Sequence, residues 1–180
     1  LPLSHSFAMT CMQNAPLLSG ASLAYQSRFD TQALLSLIDK RQVTTIALVP
    51  SAAAALLNAW KLKAAPLPLE HVLVGGAPIP PDLIAEMESA MQLSVVEGYG
   101  LTETSPVCAF RTPQTPRKTG GVGRAAGYAT LAVLNDDRGI VSTGDGELVV
   151  RGPGVFSGYL DEPAAAEDFF VDGWFRTGDF

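Results

Sequence analysis

The sequence is poor in cysteine and histidine, with two residues of each among 180. Cys11 and Cys108 are too few for a disulfide framework, and neither shows metal-ligand spacing. His5 and His71 lack the i, i+4 pairing of a helical zinc site. The sequence therefore argues against a disulfide-rich secreted domain and against a metal cage built from protein alone. It also shows no Ser/His/Asp or Cys/His arrangement that would support acyl-enzyme chemistry.

Long apolar runs and an excess of positive charge are missing as well. The most apolar stretch, residues 46–57, contains a proline and falls short of the about 20 residues that span a bilayer. Twelve basic against eighteen acidic residues give a net charge of −6, which argues weakly against a nucleic-acid partner. No basic segment opens the chain, so a signal peptide is not expected. We expect a soluble, cytoplasmic protein with no integral membrane segment, and peripheral membrane association stays open.

Apolar strands and amphipathic helices alternate over residues 20–98. One predicted helix has Asp30 or Thr31 as its N-cap, a second is alanine-rich with Ser51 as its cap, and a third begins with prolines. The predicted strands between them are "VTTIALVP", "LEHVLVGGAP" and "QLSVVEGYG". Near-continuous apolar strands separated by helices predict an α/β fold with a parallel sheet covered on both faces.

The pattern changes after residue 110. Residues 111–123 are rich in proline, threonine, glycine and basic side chains, which predicts a connecting loop. Residues 124–180 contain short strands, and Asp172 with Gly173 between aromatic runs predicts a β-hairpin. We therefore expect an α/β subdomain at 1–110, a connecting loop at 111–123 and an incomplete, β-rich subdomain with a small antiparallel unit at 124–180.

Glycines suggest where a ligand would bind. Gly121, Gly123 and Ala126 fit the loose G-x-G-x-x-A pattern, but they follow a loop rather than a strand and precede no clear helix, which argues against a Rossmann site. The strands in "VLVGGAP" and "VVEGYG" both end in glycine, where a backbone can approach a ligand closely. Each could be a mere strand-to-helix turn. Their joint occurrence favours a ligand site at the carboxyl ends of a parallel sheet.

The loop "EGYGLTETSP" carries three side chains suited to a nucleotide. Tyr99 could stack on a planar base, Thr102 could donate its hydroxyl to a phosphoryl oxygen, and Glu103 could hold Mg²⁺. Asp179 could accept both hydroxyls of a ribose. The alternatives are a solvated turn at Thr102 and Glu103 and a solvent-exposed carboxylate at Asp179. A lone histidine such as His5 is more often structural than catalytic.

Five segments, in order, resemble the AMP-forming adenylating enzymes, which include acyl- and aryl-CoA synthetases, adenylation domains of peptide synthetases, and luciferases. They are spread over the whole chain: "LPLSH", "VLVGGAPIP", "EGYGLTETSPV", "GELVVRGPGVFSGYL" and "DGWFRTGD". The resemblance implies ATP or AMP and Mg²⁺ as cofactors and CoA as co-substrate. A carboxylate would attack the α-phosphorus of ATP and release pyrophosphate, and the thiol of CoA would then take the acyl group from the acyl adenylate.

The resemblance also implies roles for individual residues. Thr102 and Glu103 would be the catalytic pair, with Thr102 on the α-phosphate and Glu103 on Mg²⁺. Asp179 would bind the ribose hydroxyls. The adenine would be contacted by Gly75, Gly76, Ala77 and Tyr99. His5 would lie beside the acyl group, and the carboxylate pocket would be lined in part by Gly98, Gly100, Leu101, Pro106 and Val107.

Parts of the family pattern have no match here. The Ser/Thr/Gly-rich loop with the phosphate-gripping lysine is expected upstream of "LPLSH", and the hinge and C-terminal lid domain are expected after "RTGD". We therefore expect an internal piece of the large N-terminal domain that is inactive alone. The motifs are more similar to fatty or aromatic acyl-CoA synthetases than to peptide-synthetase domains. An amino-acid adenylation domain and a non-catalytic nucleotide-binding or interaction protein remain the alternatives.

Overall fold

A computed structural model describes residues 1–112, 114–118, 120–137, 139–161 and 166–180. Contacts divide the chain into two units. The first comprises Leu1–Gly98 and Arg111–Gly123, and the second comprises Tyr99–Phe110 and Arg124–Phe180. Pro113 and Thr119 of the predicted connecting loop lie outside the described residues. The subdomain boundaries drawn from the sequence stay a prediction.

The first unit is a parallel sheet layered with helices, which confirms the predicted α/β class. Its helices are α1 (Ser6–Met9), α2 (Ala15–Leu18), α3 (Thr31–Arg41), α4 (Pro50–Lys61) and α5 (Pro81–Met91). Its strands are β1 (Thr45–Leu48), β2 (His71–Val74) and β3 (Ser94–Tyr99), whose last residue already counts with the second unit. The three strands pair in parallel in that order, with Thr45 opposite His71 and His71 opposite Ser94.

Helix ends in this unit follow local capping rules. The Asp30 carboxylate accepts a hydrogen bond from the backbone N–H of Ala33 at 2.7 Å, so the predicted cap of α3 is confirmed. The predicted Ser51 cap of α4 is wrong, because Pro50 already occupies the first helical turn and Val49 is the N-cap. Proline fits there since the first helical N–H groups have no partner within the helix.

The core of the first unit joins its helices to the sheet. Ile38 of α3, Leu56 of α4, Val72 of β2, Met87 of α5 and Val95 of β3 are all 0% exposed. Burying a side chain of this size contributes roughly 1.5–3 kcal/mol each. This packing fixes the strand ends that carry the candidate glycines.

One helical segment was missed by the sequence analysis. Helices α1 and α2 are joined by a π-helical turn at Thr10–Asn14. A π turn shifts the apolar period away from the helical repeat, and Pro16 resembles a break although it stands in the first turn of α2.

The second unit is antiparallel. Strands β4 (Ala109–Phe110) and β5 (Arg124–Ala125) form one pair. A five-stranded sheet in the order β7-β6-β8-β10-β9 is built from β6 (Thr130–Leu134), β7 (Ile140–Val141), β8 (Glu147–Arg151), β9 (Phe170–Val171) and β10 (Trp174–Arg176). A short helix, α6 (Ala166–Phe169), precedes β9. The predicted hairpin is confirmed, with Asp172 and Gly173 at φ of 49° and 77°. Within the part of the chain that is described, no helix is long and apolar enough to cross a membrane.

Candidate functional site

In the first unit, the glycine-ended strands meet as the sequence predicts. β2 and β3 are parallel neighbours, so their carboxyl ends share one edge of the sheet. A Cβ added at Gly75 would lie 3.2 Å from the carbonyl oxygen of Gly98 and 3.5 Å from the ring of Phe7. Gly75 is buried, whereas Gly76 and Ala77 are exposed, and Gly76 has a φ of 84°. The backbone at this edge is therefore closely packed at Gly75 and exposed at Gly76 and Ala77.

The "LPLSH" segment lies at the same edge through the helix that it starts. The exposed His5 caps α1, since its Nδ1 accepts a hydrogen bond from the backbone N–H of Phe7 at 3.2 Å. Phe7 in turn packs on Gly75. His5 thus has a structural role as a cap, while its proposed place beside the acyl group stays a prediction. Phe7 was not singled out in the sequence because the helix that carries it was missed.

A partly buried charge network anchors the end of β3. Glu97, the residue before Gly98, has a carboxylate oxygen 3.6 Å from Nε of Arg111 and 3.8 Å from Nε of Arg117. Arg111 is 7% exposed and also donates to the backbone carbonyl of Val95. The first residue of "EGYG" is therefore tied into the protein rather than presented to a ligand.

The loop after β3, in the second unit, is closed by contacts of its own backbone. A Cβ added at Gly100 would lie 1.7 Å from the carbonyl oxygen of Pro106. Thr102–Thr104 forms a 3₁₀ turn, and the hydroxyl of Thr104, which is 1% exposed, accepts from the N–H of Leu101 at 2.9 Å. The loop brings together the predicted residues Gly100, Leu101, Thr102, Glu103, Pro106 and Val107. Thr102 is exposed and Glu103 is half-buried.

Tyr99 and Asp179 are 80 residues apart in sequence and are joined by a hydrogen bond. The phenol of Tyr99 donates to Oδ2 of Asp179 at 2.5 Å. Burial, followed by this hydrogen bond to the carboxylate, raises the pKa of Tyr99 above its usual value of 10.0. The two side chains predicted to contact a base and its ribose are therefore adjacent, and those roles stay a prediction.

Glu103 is held by a segment that the sequence analysis left without a role. Its Oε1 accepts a hydrogen bond from the hydroxyl of Tyr159 at 2.7 Å, and its backbone carbonyl accepts from the N–H of Phe156 at 2.8 Å. A cavity of about 290 Å³ lies beside this carboxylate, lined among others by Leu101, Phe169, Thr177 and Gly178. No local pattern marks Tyr159, since its partner is 56 residues away.

The carboxylate of Glu103 fits Mg²⁺ as a single protein ligand. Mg²⁺ usually takes one or two carboxylates together with substrate phosphates and water. Among the residues with described positions, no group of three or more His, Cys, Asp or Glu side chains could hold a metal by itself. A metal at Glu103 would accordingly need oxygens from the nucleotide.

Comparison with known proteins gives a consistent result. The model of the family described as "AMP-binding enzyme" matches residues 1–160. Over 99% of its length the chain is 32% identical to indoleacetate–CoA ligase from Aromatoleum aromaticum, 34% to 4-coumarate–CoA ligase 2 from Oryza sativa subsp. japonica and 33% to long-chain-fatty-acid–CoA ligase FadD13 from Mycobacterium tuberculosis. It covers 36%, 33% and 36% of those proteins, so it spans about a third of their length.

Solved structures agree with the fold over 99% of the chain. The N-terminal domain of FACL13 from Mycobacterium tuberculosis has a TM-score of 0.91 at 30% identity, with 45% of that chain covered. O-succinylbenzoate Coenzyme A synthetase (MenE) from Bacillus subtilis, solved in complex with AMP, has a TM-score of 0.85 at 27% identity, with 36% of that chain covered.

Proposed function

The chain belongs to the AMP-binding enzyme family, and on that premise we propose that it is the nucleotide- and carboxylate-binding part of an ATP-dependent acyl-CoA ligase. The reaction would activate a fatty or aryl acid as an acyl adenylate, release pyrophosphate and transfer the acyl group to CoA. The relatives named above support CoA as acceptor, since each carries the name of a CoA ligase. By name, their acids are indoleacetate, 4-coumarate and a long-chain fatty acid.

The observation that carries the proposal is the hydrogen bond between Tyr99 and Asp179 at 2.5 Å. Adenosine presents a planar base directly attached to a ribose with two neighbouring hydroxyls. An aromatic ring can stack on the face of the base, and a carboxylate can accept hydrogen bonds from both hydroxyls. The two groups therefore suit the two halves of adenosine, and both lie in the second unit.

The remaining candidate residues fit the steps that follow. We assign Gly75, Gly76 and Ala77 to the adenine, because a backbone without bulky side chains permits close approach. Thr102 would donate to an α-phosphate oxygen as negative charge develops there. Mg²⁺, when bound, supplies positive charge that lets two anions meet, and Glu103 would hold it.

The carboxylate substrate would bind next to the loop. We assign Gly98, Gly100, Leu101, Pro106 and Val107 to part of its pocket, with His5 beside the acyl group. Because the chain spans about a third of its relatives, we expect these 180 residues alone not to complete the reaction. Acyl adenylate formed by the isolated chain at the rate of the protein from the complete natural coding sequence would contradict this expectation.

The test is carboxylate-dependent exchange between ATP and pyrophosphate. It uses the protein expressed from the complete natural coding sequence, with acids from acetate to palmitate, benzoates, cinnamates and amino acids. Parallel reactions with CoA detect the thioester. Exchange with a fatty or aryl acid and thioester formation would support the proposal, whereas exchange with amino acids alone would favour an amino-acid adenylation domain.

Two variants connect the activity to the residues. Asp179→Ala should weaken ATP binding about tenfold or more, because charge-assisted hydrogen bonds to the ribose are lost. Glu103→Gln should raise the Mg²⁺ concentration required for exchange. Asp145→Ala, an exposed aspartate in the same unit, is the matched control and should leave both quantities unchanged. Exchange that is insensitive to both Asp179→Ala and Glu103→Gln would refute the assigned site, and no exchange with any acid would favour a nucleotide-binding protein without catalysis.

A further inference from the structure

We propose that the buried carboxylate of Glu147 is a positioning residue that fixes the turn presenting Asp179. The inference rests on the proposed function, because it takes Asp179 as the acceptor of the ribose hydroxyls. Glu147 itself would touch no ligand. It would act on nucleotide binding only by holding the backbone immediately before Asp179.

Glu147 makes three contacts with the segment that ends at Asp179. It is the first residue of β8 and is 5% exposed. Its Oε2 accepts from Nε of Arg176 at 2.9 Å and lies 2.7 Å from Nη2 of the same side chain. Its Oε1 accepts from the backbone N–H of Gly178 at 2.9 Å. One carboxylate therefore binds the residue at the end of β10 and the residue adjacent to Asp179.

The turn needs such a partner because of its backbone. Gly178 has a φ of 76° and nothing within 4 Å of an added Cβ, so sterics alone leave it many conformations. The hydrogen bond from Gly178 to Glu147 selects one of them. One residue later in the turn, the backbone carbonyl of Asp179 accepts a hydrogen bond from the N–H of Leu148 at 2.8 Å. Both fixed points on the turn thus belong to the first two residues of β8.

Thr177 completes the connection. Its hydroxyl donates to the carbonyl of Leu148 at 2.7 Å and accepts from the N–H of Asp179 at 3.1 Å. The side chain of Asp179 is exposed, so its direction depends on its backbone together with the hydrogen bond from Tyr99. Small rotations at Gly178 would move the carboxylate away from both ribose hydroxyls, since hydrogen bonds weaken steeply with distance and angle.

The charge of Glu147 is what the three contacts require. Both carboxylate oxygens accept, so Oε1 can serve Gly178 while Oε2 serves Arg176. A glutamine has one accepting oxygen, and its NH₂ group would face a second donor. Buried charges are retained where they are paired and hydrogen-bonded. Glu147→Gln should therefore free one of the two anchored residues without changing the size of the side chain.

The experiment compares two nucleotides on the protein from the complete natural coding sequence. Calorimetry gives the Kd of AMP and the Kd of 2′,3′-dideoxy-AMP. The Kd of dideoxy-AMP divided by the Kd of AMP measures recognition of the ribose hydroxyls. Glu147→Gln should lower this ratio about fivefold, while the Kd of dideoxy-AMP changes by less than about twofold. A loss of general stability would instead weaken both nucleotides in the same proportion.

Matched controls separate this inference from the proposed function. Val150→Ala lowers the stability of the same unit at a residue that is 1% exposed and should leave the ratio unchanged. Asp179→Ala should bring the ratio close to one. If the unaltered protein already has a ratio near one, or Asp179→Ala does not change it, the ribose assignment in the proposed function fails.

If Asp179→Ala brings the Kd ratio close to one while Glu147→Gln leaves it unchanged, the positioning role is overturned and the ribose assignment stands. Should Glu147→Gln fail to fold, Glu147→Asp decides in its place. Aspartate keeps the charge but withdraws the carboxylate by one methylene from Gly178. A lowered ratio in that variant supports the inference, and an unchanged ratio overturns it.

Discussion

Replacing Gly100 by alanine tests the shape of the loop that carries Thr102 and Glu103. The added Cβ would lie 1.7 Å from the carbonyl oxygen of Pro106, 2.7 Å from its carbonyl carbon and 2.9 Å from the Cα of Val107. All three atoms belong to the backbone, so no rotamer change can relieve the overlap. The loop must open between residues 100 and 106 to admit one methyl group.

The magnitude follows from overpacking, which costs about 1–3 kcal/mol, and more where the neighbours cannot move. Displacing Pro106 also removes an acceptor 3.3 Å from the hydroxyl of Thr104, but that hydroxyl keeps the carbonyl of Leu101 at 2.9 Å as its acceptor, so this loss adds little. Because the overlap is with backbone atoms, we expect the upper end, about 3 kcal/mol, for Gly100→Ala. An opening free energy lowered by this amount makes protected amides in the loop exchange about a hundredfold faster.

Hydrogen exchange read by mass spectrometry is the direct assay. The amides of Thr104 and Cys108, which donate to the carbonyls of Leu101 and Tyr99, report the opening. Gly127→Ala is the matched control, because an added Cβ there meets nothing within 4 Å in the same unit. Gly127→Ala should change the free energy of unfolding by less than about 0.5 kcal/mol. Equal exchange in the two variants would refute the steric reasoning.

Three further changes have defined outcomes. The raised pKa of Tyr99 means that the folded state favours the neutral phenol, so its contribution to stability is complete below pH 10.0 and is lost as pH rises further. Above pH 10.0, the free energy of unfolding should depend less on pH in Tyr99→Phe than in the unaltered protein. Equal slopes in the two proteins would contradict Tyr99 as the source of the dependence. Asp30→Ala should cost about 1 kcal/mol by urea denaturation, whereas Asp30→Ser should retain the cap, so equal losses would exclude capping as the cause. Tyr159→Phe removes the hydrogen bond to Glu103 and should weaken Mg²⁺-dependent ATP binding about threefold by calorimetry without changing metal-free AMP binding. An effect on both would indicate a general packing loss.

The sequence predicts elements whose signals are local. Asp30 precedes an apolar helical pattern, and Asp172 with Gly173 provides the positive φ angles that a two-residue hairpin needs, so both predictions are confirmed. Ser51 failed as a cap because Pro50 competes for the same turn and has the fixed φ of a first helical residue. The helix that begins at Ser6 was missed because its π turn interrupts the period on which such predictions depend.

In the candidate site, too, local features were predicted from the sequence and contacts between distant residues were not. Glycine at two strand ends was readable from the sequence, and the structure brings Gly75 within contact distance of Gly98. The contact of Tyr99 with Asp179 spans 80 residues, and that of Glu147 with Gly178 spans 31. No periodicity connects such pairs, since their proximity is produced by strand order. Residues that act on a neighbour rather than on a ligand therefore stayed unassigned until the fold was known.

In each unit, a buried or partly buried carboxylate paired with arginine lies close to a proposed ligand group. Glu97, which faces Arg111, directly precedes Gly98, and Glu147, which faces Arg176, binds the N–H of Gly178 just before Asp179. At Gly178, glycine supplies the backbone freedom that a close ligand requires, and the hydrogen bond to the ion-paired Glu147 restricts that freedom. Because Glu147 contacts the backbone before Asp179 and not the proposed ligand, neutralising it should change nucleotide affinity through geometry, leaving the salt dependence of that affinity the same as in the unaltered protein.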